Sequence, residues 1–133
     1  MPRPRDVGPL HVPSLTAGER DAIMADLRAW VDRLVDRFTL DTRAVPPCWE
    51  QHNALVEALS ALRDHERGSY AADADPRSAI DWLRAFRDVR GLLSELAAVT
   101  QCSAHQHRDP PARRRPHATG TSAAVDTLGG SPA

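Results

Sequence analysis

The 133 residues carry 17 arginines and no lysine against 18 carboxylates, for a formal net charge of −1, with only 2 cysteines. The absence of lysine removes the phosphate-binding loop and any Schiff-base chemistry, both of which need that amine. No stretch approaches the roughly 20 apolar residues of a membrane span, and two cysteines without an apolar leader point to a reduced, cytoplasmic chain.

The charge is unevenly spread. Residues 16–102 hold 11 arginines and 15 carboxylates, a net −4, whereas residues 103–133 come to +2. An acidic body repels phosphate, which argues against a large nucleic-acid footprint on the folded part.

Residues 1–14 hold four prolines and little periodicity, and read as a flexible arm. Thr16-Ala-Gly-Glu19 is a capping box. It opens a stripe of Ile23, Met24, Leu27, Trp30, Val31, Leu34, Val35 and Phe38 at helical spacing, which predicts a helix over residues 17–38. Residues 39–45 read as a linker closed by Pro46-Pro47.

A second helix is expected from Pro47 or Cys48 to about Gly68, on the stripe Trp49, His52, Leu55, Val56, Leu59 and Leu62, with a local break near Asn53 as an alternative. Asp75-Pro76 is a start signal for a third. Its stripe is Trp82, Phe86, Val89, Leu93, Leu96 and Val99, flanked by Ile80, Leu83 and Leu92, and its end falls near Thr100 or Cys102. Gly91 lies inside, where it either admits a close neighbour or simply costs stability. Residues 104–133 contain Arg113-Arg114-Arg115 among prolines and small residues, and read as a disordered tail.

The reading is all-α: a three-helix up-down-up bundle over residues 15–103 with disordered arms on either side. Trp30, Trp49 and Trp82 fall on the apolar stripes as core. In an up-down-up bundle the first helix ends where the second begins, and the third returns to that end. Cys48 and His52 would then meet Cys102 and the histidines after it, His105 and His107.

Cys-x3-His with Cys-x2-His supplies the donors of a tetrahedral structural zinc: Cys48, His52, Cys102 and His105. Two other states fit the same residues. The thiols and imidazoles could be ordinary buried side chains, or Cys48 and Cys102 could form a disulfide. A catalytic Cys48, with its pKa lowered near a helix N-terminus and His52 as base, lacks a third orienting group and an oxyanion loop.

The pattern Pro46-Pro47-Cys48-Trp49-x-x-His52-x-x-Leu55-Val56-x-x-Leu59-x-x-Leu62, followed by Asp75-Pro76, Asp81-Trp82 and Cys102-x-x-His105, resembles a family of small uncharacterised actinobacterial proteins. That family is associated with plasmid, phage or integrative-element neighbourhoods. The resemblance spans residues 25–107. It implies a helical accessory protein of a mobile element, with conjugative transfer as a setting, and treats the two cysteines with His52 and His105 as one group.

Two functions follow as expectations. The first is a non-enzymatic adaptor binding a protein partner or a second copy of itself. The second is a nucleic-acid-associated accessory protein using Arg113, Arg114 and Arg115. A helix-turn-helix fits poorly, because the connections exceed its short turn and the third helix balances its arginines with carboxylates.

Overall fold

A computed structural model describes residues 9–109. Three α-helices make up most of it: α1 over Ala17–Phe38, α2 over Asn53–Ser69 and α3 over Ser78–Thr100. No strand occurs among the described residues.

The predicted capping box at the start of α1 forms. Thr16 accepts from the Glu19 backbone N–H at 3.2 Å, and Glu19 accepts from the Thr16 backbone N–H at 3.3 Å. The far end of α1 closes without glycine. Thr39 takes a left-handed φ of 51°, and the N–H of Leu40 reaches back to the Val35 carbonyl at 3.1 Å. Leu40 is buried, so the apolar contact that accompanies this type of helix end sustains a backbone conformation threonine does not favour.

The helix directions differ from a simple up-down-up alternation. Arg20, early in α1, donates to Asn53, the first residue of α2, at 3.3 Å. Trp30 and Arg37, later in α1, donate to Glu66 near the end of α2 at 3.0 and 2.5 Å. The first two helices therefore run in the same sense. α3 opposes both: Trp82 near its start lies by Phe38 and His65, with ring centroids 6.4 and 6.2 Å away, while Cys102 just past its end meets His52.

The order is up-up-down, and residues 39–52 carry the chain back along α1. That return is buried at Leu40, Ala44, Val45 and Trp49. Val45, Pro46, Pro47 and Trp49 share a groove with Val31 and Val35. Burying this apolar connection against α1 is the reason the alternating topology is not adopted.

The second helix begins later than expected. Pro46 to His52 form tight turns, with Trp49 N–H donating to the Pro46 carbonyl at 3.0 Å and His52 N–H to the Trp49 carbonyl at 3.1 Å. His52 is extended (φ −119°, ψ 107°), and α2 proper starts at Asn53, where the alternative break was placed. α3 starts two residues past Pro76. The Asp75 carboxylate accepts from the Arg77 N–H, and the Asp75 carbonyl accepts from the Ser78 N–H, both at 2.8 Å.

The core holds Leu27, Val31 and Leu34 from α1, Leu55, Val56, Leu59 and Leu62 from α2, and Trp82, Phe86 and Leu93 from α3. All three tryptophans are buried. The stripe of α3 ends earlier than its sequence suggests, since Val99 is 81% exposed. Residues 9–14, expected as part of a flexible arm, pack instead: Val12 is buried, and the Leu10 N–H donates to the Asp64 carboxylate at 2.8 Å.

Gly91 faces open space, with nothing near where a Cβ would stand. No neighbour uses the missing side chain, so Gly91→Ala should stabilise the chain by about 0.5–1 kcal/mol. A rise in the denaturation midpoint at unchanged slope would show it; a fall would mean that α3 is not a continuous helix through residue 91.

Candidate metal centre

Where α2 begins and α3 ends, four side chains converge: Cys48, His52, Cys102 and His107. One donor atom from each lies within 4.8 Å of all the others. His52 Nε2 stands between the two thiols, 3.6 Å from Cys48 Sγ and 3.3 Å from Cys102 Sγ. His107 Nδ1 lies 3.5 Å from Cys102 Sγ.

Local structure aims each group. The turns over Pro46–His52 place Cys48 and His52 side by side without a shared α-helix, and both are buried. Gln101 ends α3 with a left-handed φ of 59°, which turns the chain back across the helix end. The Ser103 hydroxyl then accepts from the N–H groups of His105 and Gln106 at 3.3 and 3.1 Å, and the Ser103 N–H donates to the Gln106 carbonyl at 2.8 Å. This tight turn leaves His105 exposed at its tip and returns His107 to the cluster.

The expected ligand His105 is therefore replaced by His107. A serine immediately after the cysteine was the local signal, because a hydroxyl that bonds backbone N–H groups two and three residues on makes a compact turn. Cys48, His52 and Cys102 are brought together as the sequence reading required, although the reason is only the antiparallel pairing of α2 with α3. Arg113, Arg114 and Arg115 lie outside the described residues.

The two thiols are in different electrostatic states. Burial pushes Cys48 above its ordinary value, and the adjacent Cys102 adds to the effect. Cys102 loses hydration too, but hydrogen bonding from Thr100 and the Arg108 backbone, with contributions from Cys48 and His52, outweighs that and lowers it to about 6. The Arg108 N–H donates to Cys102 Sγ at 3.1 Å. The readily ionised thiol is thus Cys102 and not Cys48, the one expected beside a helix N-terminus. His107 is raised, chiefly by its bond to Asp109, whose Oδ1 stands 2.8 Å from His107 Nε2.

Both cysteines are free thiols. Tetrahedral zinc with bonds of about 2.3 Å to sulfur and about 2.0 Å to nitrogen places S and N donors about 3.5 Å apart. Three of the four S···N separations, at 3.3, 3.5 and 3.6 Å, fit that requirement. The helix ends fit as well. α2 opens without a capping side chain, and α3 closes without a basic residue in its last turn. Thiolates beside the first end and a cation beside the second would complement both dipoles.

No family model, curated protein or solved structure matches the chain. The geometry and chemistry of this cluster carry the functional argument. Among the described residues no helix is long and apolar enough to cross a membrane.

Proposed function

We propose that the protein is a small, non-enzymatic helical binding module whose open end is closed by a structural zinc held by Cys48, His52, Cys102 and His107. The convergence of four side-chain donors carries the reading. Four protein ligands fill a tetrahedral shell, whereas catalytic zinc keeps one position for water or substrate. The ion ties the start of α2 to the chain beyond α3, giving a small core the extra stabilisation that chains of this size need.

The binding surface is the first turns of α3, where Ile80 and Leu83 stand one turn apart and are 52 and 46% exposed. Such residues suit contact with a protein partner or a second copy of the chain. Service in a mobile genetic element rests on the sequence resemblance alone.

The test is metal analysis of untagged full-length protein, with melting before and after chelation. One zinc per chain and a lowered melting temperature in chelator are expected. Protein that takes up no zinc, or that melts identically without it, removes the metal. Elution well above 14.6 kDa would show self-association. Salt-sensitive retention on DNA, lost when Arg113, Arg114 and Arg115 become alanine, would replace the adaptor reading with the nucleic-acid one.

A further inference from the structure

We infer that Asp109 is a positioning residue for the metal centre: its carboxylate fixes the proton of His107 on Nε2 and presents Nδ1 to the ion. The inference rests on the zinc reading and adds to it a residue that touches no metal.

The two histidines use different nitrogens. His52 directs Nε2 at both sulfurs, and His107 directs Nδ1 at Cys102. An imidazole can ligate only through a nitrogen that carries no proton, so His107 must keep its proton on Nε2. Among the described residues the partner of that atom is Asp109 Oδ1, at 2.8 Å. A carboxylate bonded to the outer nitrogen of a ligating imidazole fixes its tautomer, holds its plane and raises its basicity.

The surrounding chain supports this arrangement. The Arg108 N–H donates to Cys102 Sγ at 3.1 Å, and its guanidinium donates to Gln101 Oε1 at 2.8 Å. Residue 108 is thereby pinned between His107 and Asp109, which sets the carboxylate against the ring. The Asp109 side chain is 89% exposed, so its replacement removes this bond without opening a cavity.

Competition with a chromophoric chelator would give the zinc affinity of the full-length chain. Asp109→Ala should bind zinc about 10–100-fold more weakly than the unchanged chain. Asp109→Asn keeps an acceptor oxygen and should recover part of that loss. With cobalt(II) as probe, both variants should retain the thiolate charge-transfer and tetrahedral absorption bands, since all four ligands remain. Metal-free melting should not change.

In a His107→Ala background, Asp109→Ala should add little. An equal loss there would mean that Asp109 acts as a distant charge, and the positioning role would be overturned. Asp109→Ala binding zinc as tightly as the unchanged chain overturns it directly and leaves the zinc centre standing. An unchanged chain that binds no zinc removes both.

Discussion

Cys102→Ser should abolish stoichiometric zinc uptake and lower the melting temperature of the zinc-supplied protein by about 15–30 °C, the largest effect expected from any change at the proposed metal centre. Cys102 is its hub, with His52 Nε2 at 3.3 Å, His107 Nδ1 at 3.5 Å and the Arg108 N–H at 3.1 Å all converging on one sulfur. A serine hydroxyl does not ionise near neutral pH and is a harder donor, so it does not replace the thiolate.

The magnitude follows from linkage. A ligand present at about 1,000 times its dissociation constant contributes about 4 kcal/mol to the folded state. A domain of this size shifts by roughly 4–8 °C per kcal/mol. Calorimetry with and without chelator measures it: the serine variant should melt where the chelated parent melts and should not respond to added zinc. His105→Ala is the internal control, since His105 is exposed outside the cluster and its loss should leave both zinc content and melting unchanged. A serine variant that retains one zinc per chain would remove Cys102 from the ligand set.

Trp82→Ala produces a second large effect, at the opposite end of the bundle. Trp82 is 2% exposed and meets Phe38, Phe86 and His65 at ring-centroid distances of 6.4, 5.9 and 6.2 Å. Truncating such a side chain costs about 3–5 kcal/mol, through lost transfer free energy and the cavity left behind. That is a large part of the 5–15 kcal/mol by which domains are usually stable.

Because the proposed metal site lies at the other end, excess zinc should raise the melting temperatures of Trp82→Ala and the parent by similar amounts, while the gap between them persists. Denaturant unfolding with and without zinc measures that gap. A loss below about 1 kcal/mol would mean that Phe38 and α3 do not pack as described, and the up-up-down order would fall with it.

The limits of local reading show at particular residues. The capping box at Thr16 and the stripe from Met24 to Phe38 predict α1 to the residue, because capping and helical periodicity are local and do not depend on what the helix packs against. Val99 fits the α3 stripe equally well and is nonetheless exposed, because periodicity says which residues share a face and not how far a neighbouring helix extends. The apolar residues of the connection, Leu40, Ala44, Val45 and Trp49, were the available hint that it is packed. A solvent-exposed linker would not carry so many.

Sequence by itself determined the helical class, the three amphipathic segments, most of the core, and the donor chemistry of Cys48, His52 and Cys102. These depend on residue type and short spacing. Only the tertiary structure decided that α2 runs with α1, that His52 stands at a break rather than inside a helix, and that His107 and not His105 turns inward. The physical reason is that each depends on an interaction between distant parts or on a turn: apolar burial of the return path against α1, the side-by-side placement of Cys48 and His52, and a serine-centred turn held over the end of α3.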